Sequence, residues 1–401
     1  MHRPSRILLA FALAVALGCK KDEPQGSGLV GATATGPIVI GEVGSMTGSE
    51  ATFGVSSDKG IQLAVSEINA TGGVKGRQIK VSVLDDEGKP EQAATATTKL
   101  IASDHATAIL GEVASGRSKF MAPKAQQAKV PMITPSSTNP EITEIGDYIF
   151  RACFIDPFQG YVMAKFVREN LKLSKVGILR DVRNTYSVGL ADVFRDNFKK
   201  MGGTIVGDES YSAGDVDFRA QLTNLKQKSP EGLFVPGYYT DVGLVARQAR
   251  ESGLTIPLLG GDGWDSEKLW EIGGEALLGS YFSNHYSVDD PSPRIQEFVA
   301  KYKKTYNMLP DSLSAQAYDA AGMLFDAMKR APDLSGSAIR DALAATKDYR
   351  GVTGNITLDS HRNPVKPAVV LKIGKAGKYE YVTTIQPEGT VVAPTPGSAN
   401  K

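Results

Sequence analysis

Apolar and polar positions along the chain switch repeatedly between two periods. Ile38-Val-Ile-Gly-Glu-Val43 is a short, nearly continuous apolar run, the pattern of a buried strand. From Asp58 to Asn69 the apolar residues fall at Ile61, Val65 and Ile68, a helical spacing that stops at Gly72-Gly73. Ile79, Val81 and Val83 alternate as a strand, and Pro90 to Ala102 reads as a helix. Ala106 to Leu110 and Val130 to Ile133 read as short strands around a helix near Ser118 to Ala128. Strands that alternate with helices predict a parallel sheet covered on both faces.

The pattern then restarts. Val176-Gly-Ile-Leu179 is a strand signal, and Val188 to Met201 is a helix stopped again by a glycine pair, Gly202-Gly203. Thr204-Ile-Val206, Gly232-Leu-Phe-Val235 and Ile256-Pro-Leu-Leu259 read as strands, with helices at Phe218 to Lys228 and Asp241 to Ser252. Two successive α/β units of one layout imply two similar lobes, although their sequences are too different for a repeat. Helices follow at Pro293 to Tyr306 and Ser312 to Lys329, then strand-like segments at Asn355 to Leu358, Pro367 to Ile373 and Tyr379 to Thr384. The fold class expected is α/β, with two doubly wound parallel-sheet lobes.

In open parallel sheets, ligands bind beyond the carboxyl ends of the strands. The segments that follow the predicted strands are Gly44 to Gly48, Gly111 to Arg117, Thr134-Pro-Ser-Ser-Thr-Asn-Pro-Glu141, Arg180 to Tyr186, Pro236 to Tyr239 and Gly260 to Asp265. Each alone suits a turn or a helix cap. Together they gather hydroxyls, aromatic rings and a carboxylate on one edge. That set suits a small polar ligand, with a helix N-terminus near Ser115 to Ser118 adding positive potential for an anion.

Composition narrows the classes. With 401 residues the chain is long enough for two domains. Lys+Arg is 45 and Asp+Glu is 44, which leaves no basic surface for nucleic acid. Arg3 and Arg6 precede the apolar run Ile7 to Leu17, too short to span a bilayer and suited to a signal peptide. The run ends at Gly18-Cys19, which resembles a bacterial lipoprotein box with Cys19 as the lipidated residue. Ala16 stands where that box has Leu, and the alternative is ordinary cleavage nearby with Cys19 incidental. Lys20 to Gly36 is a polar, Gly/Ser/Thr-rich tether. Cys153, left alone once Cys19 is lipidated, reads as a buried structural thiol.

Catalytic signals are weak. There is no H-x-x-x-H, C-x-x-C, P-loop or G-x-S-x-G. Gly26-Ser-Gly-Leu-Val-Gly31 matches a dinucleotide fingerprint but precedes any strand, so the context fails. Asp85-Asp86-Glu87 reads as an acidic turn rather than a cation site. No cofactor, metal or enzymatic activity is expected.

Four stretches carry a family resemblance over about residues 37 to 385: Ile68 to Gly76, Val83-Leu-Asp-Asp86, Ser137-Thr-Asn-Pro-Glu-Ile-Thr143 and Gly237-Tyr-Tyr239. In these the chain resembles the type I periplasmic binding proteins of the leucine/isoleucine/valine-binding kind. The resemblance implies two lobes on a multi-strand hinge that close over an amino acid. It implies Ser115, Ser136 and Thr138 on the ligand head group, Tyr186 and Tyr238 from the second lobe, Asp262 facing the ammonium, and Phe53 as an aromatic wall. Asp262 stands where the family usually has Glu, and the family's disulfide is absent. Arg117 either caps its helix or reaches the cleft, and Trp264 either stacks on a ligand or covers the core; both bear on specificity.

The implied domains are a signal peptide (1–18), a tether (19–36), a first lobe (37–155 and 286–350), a second lobe with hinge (156–285 and 351–386) and a loose tail (387–401). The expected partners are an amino-acid ligand, ABC permease subunits and, through the lipid anchor, a membrane; a monomer is expected. The competing class is a sensory module of the same fold for an amide, urea or amino acid.

Overall fold

The computed structural model describes residues 36–387. The expected signal peptide, Cys19, most of the expected tether and most of the expected tail lie outside them. The first lobe runs β1 (Ile38–Gly44), α1 (Ala51–Ala70), β2 (Ile79–Asp85), α2 (Pro90–Ala102), β3 (Ala108–Leu110), α3 (Ser115–Ala128), β4 (Met132–Thr134), α4 (Glu141–Glu144) and β5 (Ile149–Arg151). Its sheet has the order β2-β1-β3-β4-β5 and is parallel throughout. The central strands are buried on both faces, which is why their sequences are continuous apolar runs rather than alternating ones.

The second lobe runs α5 (Asp156–Lys165), β6 (Lys175–Asp181), α6 (Thr185–Lys200), β7 (Thr204–Tyr211), α7 (Arg219–Gln227), β8 (Gly232–Phe234), α8 (Tyr239–Glu251), β9 (Leu258–Gly260), α9 (Glu267–Gly273) and β10 (Tyr281–Asn284). The chain then returns with α10 (Pro293–Tyr306), α11 (Ser312–Arg330), α12 (Gly336–Ala344) and the hairpin β11 (Tyr349–Gly351) and β12 (Gly354–Ile356). It ends with β13 (Ala368–Ile373) and β14 (Tyr379–Ile385). The second sheet has the order β14-β13-β10-β9-β8-β6-β7. It is parallel except at one edge, where β13 and β14 are antiparallel.

Packing assigns the later segments. Ala317 to Met328 of α11 share a core with Ile38, Ile40 and Ile61 of the first lobe. Ile356 and Leu358 join that same cluster, so β12 belongs to the first lobe, and the change of lobe follows it rather than occurring at residue 351. The chain therefore passes between the lobes after β5, after β10 and between β12 and β13.

Helix α1 starts at Ala51, seven residues before the expected start at Asp58. Its first turns are built on small residues because they press on the backbone: a Cβ on Gly54 would lie 2.3 Å from the Ser45 carbonyl oxygen. Further along, a Cβ on Gly60 would lie 2.1 Å from the carbonyl oxygen of Ser314, where α1 crosses α11. Cys153 is buried and unpaired, and burial pushes its thiol up to about 12.

Candidate functional site

The loops after β3, β4, β6, β8 and β9 meet between the lobes. Six of the sequence-predicted residues, Phe53, Ser115, Ser136, Tyr186, Tyr238 and Asp262, line one gap there, joined by Val113, Gly263 and Leu313. The gap encloses about 10 Å³, the room of a single water. The lobes are shut on each other, and hydrogen bonds cross between them. Thr52 Oγ1 lies 2.9 Å from Ser266 Oγ, Thr240 Oγ1 donates to the Ser49 carbonyl at 2.6 Å, and Asn139 Nδ2 donates to the Thr185 carbonyl at 3.3 Å.

On the first-lobe side the hydroxyls are primed as donors. Ser115 Oγ accepts from the Asn139 N–H (3.2 Å), and Ser136 Oγ accepts from Gln316 Nε2 (3.0 Å). Each oxygen has an N–H on one lone pair and keeps its own proton for another acceptor. Ser115 is also the first residue of the 14-residue helix α3, whose positive end adds to the same potential. Thr138 is buried next to this lining rather than in it. Its carbonyl accepts from the Asp156 N–H (2.9 Å), and its hydroxyl turns to the Asp156 carboxyl, which it pulls down against the effect of burial.

On the second-lobe side sits a carboxylate with three donors. Asp262 Oδ1 accepts from Gln159 Nε2 (2.8 Å) and the Tyr186 hydroxyl (3.0 Å), and Oδ2 lies 3.0 Å from His285 Nε2. Burial holds His285 down at about 4, so at neutral pH the ring is uncharged and donates its Nε2–H to Asp262. Phe154 stacks on the imidazole at 3.8 Å. Asp156, wholly buried nearby, is pushed up to about 8 by burial, with repulsion from Asp262 adding to it. The gap is walled by rings: Tyr186 stacks on Tyr238 at 5.4 Å, and Phe53 meets Tyr238 edge-on at 5.3 Å.

Two further predicted residues, besides Thr138, stay out of the gap. Arg117 is buried rather than capping its helix at the surface, and it does not line the gap but lies close enough to the gap's Tyr238 for its charge to act on that hydroxyl. Its Nη1 lies 2.9 Å from Glu50 Oε2, and its Nε lies 3.0 Å from Glu112 Oε2 and 3.9 Å from Asp86 Oδ2. Burial pushes Glu112 up to about 7 against the opposing pull of Arg117. The acids at the ends of β2 and β3 thus draw the guanidinium into the first lobe. Trp264 is fully buried, donates Nε1–H to the Val235 carbonyl (3.0 Å) and lies over Gly260, where a Cβ would sit 2.1 Å from the ring. It covers the second-lobe core. The acidic turn is a turn: Asp85 Oδ1 accepts from the N–H groups of Met46, Thr47 and Glu87.

Sequence reasoning missed Gln159, His285, Leu313 and Gln316. Gln159 sits on α5, whose Asp-Pro-Phe-Gln-Gly start hides a helix buried on most sides. The one available signal for His285 was its place just after a strand.

A family model described as periplasmic binding protein matches residues 37–378. A Leu/Ile/Val-binding protein homolog of Brucella melitensis is 32% identical over 322 residues, covering 80% of this chain and 86% of that protein. Among solved structures, the leucine binding protein LivK of Thermotoga maritima superposes with a TM-score of 0.84 at 37% identity. The branched-chain amino acid transporter substrate binding protein LivJ of Streptococcus pneumoniae, in complex with isoleucine, gives 0.83 at 37%. Both matches cover 88% of this chain and 100% of the other. The chain belongs to the type I periplasmic binding protein family, of the Leu/Ile/Val-binding kind.

Proposed function

We propose that this family member is the extracytoplasmic receptor of an ABC importer and binds a branched-chain amino acid, or another small zwitterion, in the interlobe gap. The observation that carries this reading is the polarity of the gap. Two hydroxyl donors, Ser115 at a helix N-terminus and Ser136 in the loop after β4, face a second-lobe carboxylate, Asp262. A zwitterion fits that axis with its carboxylate on the first lobe and its ammonium on Asp262. Phe53, Tyr186 and Tyr238 wall the remainder. The isoleucine complex of the Streptococcus pneumoniae relative supports the ligand class.

The closed gap is too small for an amino acid, so entry requires opening about the hinge and binding closes it. No bond is made or broken; the ligand passes to permease subunits. Cys19 is the proposed lipid anchor, and Cys19→Ser is expected to release the protein from membranes; retention overturns the anchor. A thermal-shift screen against the common amino acids, short amides and urea tests the ligand class. Leucine, isoleucine or valine should raise the melting temperature most. A larger rise with an amide or urea, or none with any amino acid, overturns it.

A further inference from the structure

A carboxylate offers about four places to donors, two on each oxygen. On Asp262, Oδ1 holds both Gln159 Nε2 and the Tyr186 hydroxyl, so that oxygen is full. Oδ2 holds His285 Nε2 alone among the described residues. The place left for an ammonium in the gap is therefore on Oδ2. His285 and the ligand share one oxygen.

The fold fixes His285 from several sides. It is the first residue after β10, in the second passage between the lobes, and its side chain is wholly buried. Its ring lies within 20° of the plane of Phe154, which belongs to the first passage, between β5 and α5. Its backbone N–H donates to the Asn284 side-chain carbonyl (2.8 Å), and Asn284 Nδ2 donates in turn to Asp265. Nδ1 makes no hydrogen bond among the described residues. A proton there would be a buried donor without an acceptor, so the closed fold admits the Nε2–H tautomer and not the imidazolium.

We infer that His285 is a positioning residue for ligand binding: by donating Nε2–H to Asp262 Oδ2 it aims the open side of that oxygen at the ligand's ammonium, and it ties that aim to two passages of the hinge. The role rests on the proposed binding of an amino acid in the gap.

The role requires an uncharged ring. A neutral imidazole leaves the charge of Asp262 to the ammonium, whereas an imidazolium on the same oxygen cancels it and repels the ligand. With the gap closed, burial holds the ring uncharged down to about 4. Opening admits water and moves the ring back toward 6.5, so in the open form protons compete with the ligand between those values. Other groups face the pair: Lys366 faces the ring, and Asp156, Cys153, Asp265 and Tyr186 face Asp262. Burial pulls Lys366 down to about 8 and pushes Asp156 up to about 8 and Cys153 up to about 12, so these three hold their charge between pH 7 and 5. All five remain in His285→Gln, so a difference between its pH profile and that of the wild type belongs to the ring.

The test is leucine titrated by calorimetry into the full protein at pH 7 and pH 5, as wild type, His285→Gln and His285→Ala. The glutamine amide keeps a neutral donor where Nε2 stands. At pH 7, His285→Ala should weaken leucine about tenfold or more, by loss of a hydrogen bond to a charged group, and His285→Gln should recover most of that. From pH 7 to 5 the wild type should weaken about three- to tenfold and His285→Gln should stay level, a difference that a merely structural role does not produce. If His285→Ala does not fold, the two pH profiles decide. A wild type that fails to bind leucine overturns the amino-acid reading and this inference with it. If the wild type binds, this inference alone is overturned by equal affinity in His285→Ala, by His285→Gln being as weak as His285→Ala, or by parallel pH profiles for the wild type and His285→Gln.

Discussion

Asp262 Oδ2 and His285 Nε2 stand 3.0 Å apart in a site closed to water, and the imidazole is the neutral partner. Its proton affinity falls from an ordinary 6.5 to about 4 in the folded state, because burial outweighs the attraction of Asp262. Between those values the unfolded chain binds a proton that the folded chain refuses. Stability therefore falls as pH drops from 6.5 to 4, by roughly 3 kcal/mol from this residue alone. In His285→Gln that loss should vanish, so the pH profile of urea unfolding flattens over this window relative to wild type. Parallel profiles would show that His285 is already charged in the fold.

Asp156 has the opposite sign. Its carboxyl is raised from 3.8 to about 8, so the folded state holds a proton that the unfolded state releases. That contribution is complete below pH 3.8 and is lost as pH climbs through 8. Asp156→Asn, which cannot ionise, should gain stability on the wild type steadily across that range. A constant difference between the two proteins would mean that Asp156 is ionised when folded.

The crossing of α1 and α11 is set by Gly60. A methyl group there meets the Ser314 carbonyl oxygen at 2.1 Å, and a backbone atom cannot step aside as a side chain can. Gly60→Ala should cost about 1–3 kcal/mol in urea unfolding as an overpacked contact. A change under about 0.5 kcal/mol, the range of ordinary surface substitutions, would show that the helices separate freely.

Much of this molecule was legible in its sequence, for identifiable reasons. The strands β1, β3, β4, β6, β8 and β9 are buried runs bounded by Gly and Pro, so both sheets and their ligand-bearing edge could be read from periodicity. Ser115, Ser136, Tyr186, Tyr238 and Asp262 follow directly from that edge and the family resemblance. Arg117 and Trp264 were left open because either role suits their position in the chain. Only tertiary packing brings Glu50, Asp86 and Glu112 around the guanidinium, or lays the indole over Gly260. Gln159 and His285 reach Asp262 from elements 103 and 23 residues away, a proximity that no local pattern encodes. The start of α1 was missed because close backbone contact demands Gly and Ser, which erases the apolar stripe.

The most direct test of the account is a calorimetric titration of leucine into the wild type and Asp262→Asn, both confirmed folded. A carboxylate facing a ligand ammonium predicts one site per chain in the wild type, weakened roughly 10- to 100-fold in the variant by loss of a charged hydrogen bond. Equal affinity in the two proteins, or no binding of leucine to the wild type, would contradict it.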